Sequence, residues 1–459
     1  MSYNIVILGG GPGGYVAAIR AAQLGAKVAV VEKIEVGGTC LNRGCIPTKA
    51  MVAGAETLAH VKHAADFGIN VGSVTVDFGR LMARKNEVVA KLVAGIKFLF
   101  NKNKVDLVVG NGKITAPGRV EVTKKDGSTE QLLCENIIIA TGSEPALISA
   151  LGYDGDKVIT SNEALQLTEI PSSLLVIGGG VIGCEFACIF AELGSQVTVV
   201  DVMPTILPMV DKEAARQMQG LLKRRGINIK TKTKINEIKK ADGKVTAILE
   251  GGEEISADKV LISIGRVLNS KGIGLEEVGV ALGERGEVVV NDKLQTNVPG
   301  IYAIGDVTNK IQLAHVASAQ GIVAVENIMG KESTVNYDVV PSCIFTMPEV
   351  ASVGIASQEA DEKGLTVKAA KFSFMAIGKA QAMGETEGFV KIIADAESDK
   401  ILGVHIVGPH ATDLIAEAAV AMQAGMTVEQ LARTIHAHPT LAEAVMEAAE
   451  AVHGKAIHA

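Results

Sequence analysis

Tryptophan is absent from the 459 residues, and aromatic residues as a whole make up only 3% of them. That scarcity argues against the stacked aromatic platforms on which single-stranded nucleic acid binds. Positive charge is in deficit too, since 44 Lys and Arg against 51 Asp and Glu leave a formal net charge of −7. Such a balance gives no electrostatic footprint for nucleic acid or an anionic membrane as the main partner. Cysteine is sparse, with six in the whole chain, which excludes the dense disulfide framework of a small secreted domain. Long apolar runs are missing: the longest, LLVIGGGVIGCEFACIF, is interrupted by glycines and by Glu185, so it is no membrane span. The start, MSYNIVILGG, has no basic leader segment. It is expected to enter a strand directly, in a protein of the cytoplasm.

Glycine is plentiful, at 50 residues, and some of it falls in a segment that occurs twice. YNIVILGGGPGGYVAAIRAAQLGAKVAVVEK begins at Tyr3, and SSLLVIGGGVIGCEFACIFAELGSQVTVVDV begins at Ser172. Each reads as an apolar strand, G-x-G-x-x-G, a helix ended by Leu-Gly, and a β-branched strand closing on an acid. The glycines are Gly9, Gly11 and Gly14 in the first copy and Gly178, Gly180 and Gly183 in the second, with Glu32 and Asp201 as the acids. In this pattern the first Gly makes a tight turn, the second admits a pyrophosphate to the backbone, and the third lets helix pack on strand. The helix N-terminus offers unpaired N–H groups to the phosphates, and the acid accepts from ribose hydroxyls. Two dinucleotides are therefore expected. A carboxylate at Asp201 would repel a 2′-phosphate, and no Arg follows in DVMPTILPMVDK, so NAD is favoured over NADP. The chain is too long for one core and calls for several domains.

The segment GGTCLNRGCIPTKA, residues 37–50, holds Cys40 and Cys45. Metal ligation, inert burial and a disulfide that opens and closes are the competing readings. Metal is weakest, because Cys134, Cys184, Cys188 and Cys343 supply no second pair at ligand spacing. Bridged cysteines have Cα atoms within about 7 Å, whereas i and i+5 in an ideal helix are separated by about 7.5 Å of rise. A bridge thus needs a distorted turn, for which Gly44 gives backbone freedom and Pro47 removes an N–H. Because the pair closely follows Glu32, it is expected on the reactive side of the first dinucleotide, where a dithiol beside a flavin forms a redox relay.

IIIATGSEP (137–145) and IYAIGDV (301–307) read as further strands ending in turns, the second placing Asp306 at a strand terminus where ligands bind in α/β sheets. An ordinary turn Asp is the alternative there. The position of IYAIGDV beyond the second repeat suggests that the first domain is interrupted by the second. The last third reads as α+β: PSCIFTMPEVASVG and a hairpin around Glu397–Asp399, then helical spacing in TDLIAEAAVAMQAGM and TLAEAVMEAAEAV. HAHPTLAE (436–443) offers His438 as a base for a thiol and Glu443 to fix its tautomer. A capping or surface His is the alternative.

Taken in order, GGTCLNRGCIPTKA, both fingerprints, IIIATGSEP, LISIGR, IYAIGDV and HAHPTLAE resemble the pyridine nucleotide–disulfide oxidoreductases over essentially the whole chain. The resemblance is strongest to those members that oxidise dihydrolipoamide with NAD⁺. It implies an α/β protein with two Rossmann-like domains, one for FAD (1–145) and one for NAD (146–265). A central domain completing the FAD site (266–336) and an α+β dimerisation domain (337–459) would follow. It implies that Cys40 exchanges with substrate and Cys45 faces the flavin, with Lys49 beside the flavin and paired with Glu185. Asp306 and Ala314 would hold the flavin side of FAD, and Gly112, Thr141, Gly142 and Gly265 would be further cofactor contacts. His438 and Glu443 would serve the other subunit of a homodimer. The expected partners are lipoyl domains of 2-oxo acid dehydrogenase complexes or the H protein of glycine cleavage. Departures are few: Val316 and Gln320 stand where the family often has a basic residue and Glu, and Asp201 replaces the commoner Glu. A reductase of the same fold using NADPH, and a flavoprotein that senses NAD without turnover, are the rival readings.

Overall fold

The computed structural model describes residues 2–241 and 243–458. These form two compact units, each assembled from three stretches of chain.

The first unit takes residues up to 51, 79–146 and 265–335. At its centre Ser2–Leu8 runs parallel to Val28–Glu32 on one side and to Thr129–Ile139 on the other. Asp106–Val109 extends the sheet beyond Val28–Glu32, and Ile301–Ala303 pairs with the end of Thr129–Ile139. Every residue of Val28–Glu32 is buried, as expected of a parallel strand covered on both faces. The alternation of side chains divides the core in two. Ile5, Ile7 and Ile138 pack with Ala17, Ala18 and Ala21 of the helix Pro12–Gln23, while Val6, Leu8, Ile137 and Ile139 form the opposite layer. Small residues let that helix lie close to Ala314–Ile328: a Cβ at Gly321 would stand 2.7 Å from the Gly13 carbonyl oxygen. Asn111–Ala116, Arg119–Thr123 and the start of Thr129–Ile139 form an antiparallel meander at one edge.

The second unit takes residues 52–78, 147–264 and 336 onward. Ser173–Ile177 lies between Gln196–Val200 and Lys259–Ile262 in a second parallel sheet, and the helix Val181–Glu192 is buried from Gly183 through Phe190. The remaining chain builds a five-stranded antiparallel sheet, with Glu349–Gly354, Ile401–Gly408 and Phe389–Asp395 as its inner strands. Its hairpin at 396–400 is fixed by Asp395, whose Oδ1 accepts from the Ser398 N–H at 2.7 Å. The helices Ala411–Gln423 and Glu443–Val452 share that sheet's core through Ile415, Ala418, Ala444 and Ala448. Among the described residues no helix is long and apolar enough to cross a membrane.

Candidate active site

Both fingerprints fold as strand, turn and helix, and their turns coincide in conformation. Gly9 and Gly178 each have φ 105°, a region that favours glycine. A Cβ at Gly14 would run into the Gly9 carbonyl oxygen, and one at Gly183 into that of Gly178, so the third glycine of each motif is required for close packing. The helices that follow begin at Gly11 and Gly180, with no side-chain cap and no acidic residue in the first turn. Around the Cβ position of Gly180 there is nothing within 4 Å, and at Gly11 only the Gly38 Cα at 3.8 Å. Each cradle thus pairs open space with helix-end N–H groups that no side chain caps, which suits the pyrophosphate of a dinucleotide.

The acids are set alike. Glu32 Oε2 accepts from the Gly10 N–H and Oε1 from the Ile34 N–H, both at 2.8 Å. Asp201 Oδ2 accepts from the Gly179 N–H at 2.5 Å and Oδ1 from the Met203 N–H at 2.7 Å. The shorter Asp therefore makes the same two backbone bonds as Glu, and its charge stays at the strand end where a ribose would lie.

In the first unit the ends of two further strands meet. Thr141 Oγ1 donates to the Asn269 carbonyl at 2.7 Å, and Asn269 Nδ2 donates to the Thr141 carbonyl at 3.0 Å. Gly142 and Gly265 have φ 69° and 124° and flank a short ribbon pairing Ser143–Pro145 with Arg266–Leu268. Ser143 Oγ donates to Asp306 Oδ2 at 2.5 Å and accepts from Arg266 Nε at 2.6 Å. The buried Gln320 accepts from the Gly305 N–H at 2.6 Å, and Ala314 opens the helix Ala314–Ile328. Gly112 sits in the strand Asn111–Ala116, with Leu8 Cδ2 2.7 Å from where a Cβ would stand. Ser143, Arg266 and Gln320 are partners that sequence reasoning missed. Ser143 and Arg266 lie inside the quoted motifs, but nothing in one dimension pairs them.

The distorted turn expected between the cysteines is a break between two helices. Gly38–Arg43 ends at Gly44, with φ −145° and ψ −114°, and Cys45 begins Cys45–Lys62. Pro47 falls in the first turn, where a missing N–H costs nothing. A Cβ at Gly38 would lie 2.6 Å from the Gly11 Cα, so the cysteine segment is laid directly on the first nucleotide loop. Cys40 is hydrogen-bonded with Cys45. That contact and burial push the Cys40 thiol up, while Lys49 pulls it down. Burial pushes Cys184 well up and Cys188 up to about 12, so both are inert core thiols.

Cys40, Cys45 and Lys49 belong to the first unit, and Glu185, His438 and Glu443 to the second. Glu185 is buried and its Oε1 accepts from the Phe345 N–H at 3.0 Å. Glu443, the first residue of its helix, accepts from the Thr440 N–H at 2.9 Å and from His438 Nδ1 at 2.8 Å. Burial works against ionisation of Glu443, but these bonds hold its carboxyl below the ordinary value. The His438 side chain is 76% exposed. Glu443 thus engages Nδ1 and leaves Nε2 without a hydrogen-bond partner among the described residues.

The family model described as pyridine nucleotide-disulphide oxidoreductase matches residues 3–321, and that of the family's dimerisation domain matches 340–449. The chain is 47% identical to a dihydrolipoyl dehydrogenase of Bacillus subtilis over 99% of each chain. It is 44% identical to a mitochondrial dihydrolipoyl dehydrogenase of Pisum sativum over 99% of this chain and 92% of that one. The crystal structure of LpdA from Mycobacterium tuberculosis superposes with a TM-score of 0.93 at 30% identity, covering 98% of this chain and all of that one.

Proposed function

Since the chain belongs to the pyridine nucleotide-disulphide oxidoreductases, we propose that it oxidises dihydrolipoamide to lipoamide with NAD⁺ as the final electron acceptor. One observation carries the chemistry: a hydrogen-bonded cysteine pair lies on a dinucleotide loop in a chain that also holds a hydrogen-bonded pair of His438 and Glu443. Relatives matched over nearly their full length, named dihydrolipoyl dehydrogenases, support the choice of substrate.

FAD in the first cradle would relay two electrons from the dithiol, and NAD⁺ in the second would accept them as hydride. Gly9, Gly11, Gly14, Glu32, Thr141, Gly142, Asp306 and Ala314 are assigned to the first, Gly178, Gly180, Gly183 and Asp201 to the second, and Gly112 and Gly265 to cofactor contact. Lys49 is assigned a place beside the flavin ring, paired with Glu185.

His438 takes a proton from one substrate thiol, and Glu443 keeps the imidazole in the tautomer that can accept it. The thiolate attacks Cys40 of the oxidised pair and Cys45 departs as a thiolate. The second substrate thiol then displaces Cys40 and closes the lipoamide ring. Two substrate S–H groups become one S–S bond, the protein S–S bond is cleaved with gain of two electrons to a thiol–thiolate pair, and the two protons released rest one on a cysteine and one on His438.

Two copies of the chain are assigned to one enzyme, His438 and Glu443 of each serving the cysteine pair of the other. The region matching the dimerisation domain supports this. Lipoyl domains of 2-oxo acid dehydrogenase complexes, or the H protein of glycine cleavage, are the assigned carriers of substrate. The cytoplasm, a reducing compartment, suits a cysteine pair that must be reopened in every cycle. Steady-state turnover tests the reading. Dihydrolipoamide with NAD⁺ should be turned over far faster than NADPH with oxidised glutathione. The reverse order would refute the assignment.

A further inference from the structure

The base has a second histidine two residues before it. His436 is 5% exposed at its side chain. Its Nδ1 lies 2.8 Å from the Thr434 carbonyl oxygen and its Nε2 lies 2.5 Å from Glu417 Oε1, on the helix Ala411–Gln423. A carbonyl and a carboxylate only accept, so satisfying both requires N–H at both ring nitrogens, and a neutral imidazole carries one. Among the described residues, His438 has an acceptor at Nδ1 alone. The two rings of one short segment are thus set up oppositely: one buried and doubly donating, the other exposed with one nitrogen left to accept.

We propose that His436, clamped between Thr434 and Glu417, is a positioning residue for His438: a fixed cation that anchors the segment carrying the base and moderates that base. Glu417 above all raises the ring's hold on its proton and Thr434 adds to it, while burial opposes. Glu443 links the two rings, since it bonds His438 and its charge also acts on His436. Of the other charged groups nearby, Arg433 is turned to Glu429 at 2.6 Å, and His458, which acts on Glu443, is bonded to Glu447. Glu443 thus acts on both rings, and the His436 side chain, 5% exposed against 76% for His438, is much the more buried. The charge on His436 opposes the pull of the Glu443 carboxylate on the proton of the ring bonded to it.

The inference rests on His438 being the base, and two measurements keep the two ideas apart. The pH dependence of kcat/KM for dihydrolipoamide should show its acid limb moved to higher pH by about half a unit in His436→Gln. Glu417→Gln removes the carboxylate and the ring's second proton together, leaves the local charge unchanged, and should move the limb less than His436→Gln. His436→Lys should restore the limb. Ring ¹⁵N spectra of histidine-labelled protein should show both nitrogens of His436 protonated at pH 7.5. If His438→Gln is inactive but the limb of His436→Gln superimposes on wild type, the proposal is wrong. It is equally wrong if His436 carries a single ring N–H at pH 7.5. Failure of the wild type to oxidise dihydrolipoamide would instead overturn the functional reading, and the ring spectra would still decide the protonation state.

Discussion

Asp201 and Glu32 show how closely a residue's role can be read once its partners are known. Their carboxylates end equivalent strands and accept equivalent pairs of N–H groups, so the substitution of Asp for Glu preserves the charge where a nucleotide ribose would lie. A 2′-phosphate there meets a like charge, at a cost on the order of several kcal/mol. The ratio of kcat/KM for NAD⁺ over NADP⁺ should fall at least tenfold in Asp201→Asn, and an unchanged ratio would remove Asp201 from the specificity account. The cysteines are proposed to divide by role as well. Cys40→Ser and Cys45→Ser should each abolish turnover. Only Cys40→Ser should keep the long-wavelength absorbance that needs a thiolate against the flavin, as read in the visible spectrum. Cys184→Ser, in the core, should keep the band after reduction. Glu32, Asp306 and His438 could be proposed from the sequence because each lies in a short motif. Ser143, Arg266 and Gln320 were not, since Ser143 meets Asp306 across 163 positions and Arg266 across 123. A one-dimensional pattern carries no record of such pairings.

Elements register the same constraints through their breaks and caps. The chain cannot carry one helix through 38–62 because Gly44 adopts a non-helical conformation, and that break sets Cys40 against Cys45. The need for an irregular turn followed from spacing alone. Its placement did not, because it depends on Gly38 meeting Gly11 across the fold. Gly38 has φ 59° and no room for a methyl. Gly38→Ala should lift the cysteine helix from the loop and cost roughly 1–3 kcal/mol, seen as lost flavin per protomer after gel filtration together with a lower Tm. Full flavin content and unchanged Tm would contradict the close approach. In the second unit, Asp211 caps the helix Lys212–Arg224 and also accepts from the Ser357 N–H at 3.0 Å and from buried Lys391 at 3.1 Å. Nothing in GFVKIIADAE marks that lysine as buried, because its partner comes from a distant segment. Lys391→Met would leave Asp211 uncompensated, and a loss of about 3–5 kcal/mol is expected in urea unfolding. Burial tends to raise the Asp211 carboxyl, but the Ser357 N–H, His405 and Lys391 lower it to about 2. The stability it contributes is complete above the ordinary value of 3.8 and is lost as pH falls toward about 2. Wild type should therefore lose stability across that window more steeply than Asp211→Asn.

At the scale of the whole molecule, the duplicated fingerprint foretold two nucleotide cradles, and the apolar patterning of the last third foretold its sheet and helices. The allocation of residues 52–78 to the second unit, apart from the segments on either side, was beyond pattern reading, because compactness is a property of contacts rather than of sequence order. The central claim concerns the assembled enzyme, in which the thiols of one subunit are served by the base of the other. It is tested by refolding together a Cys45→Ser chain and a His438→Gln chain, each inactive alone. Random pairing makes half of the dimers mixed, and each mixed dimer holds one intact site of two. Roughly a quarter of wild-type dihydrolipoamide–NAD⁺ activity should return under closed two-fold pairing. No activity in verified mixed dimers would contradict the shared site.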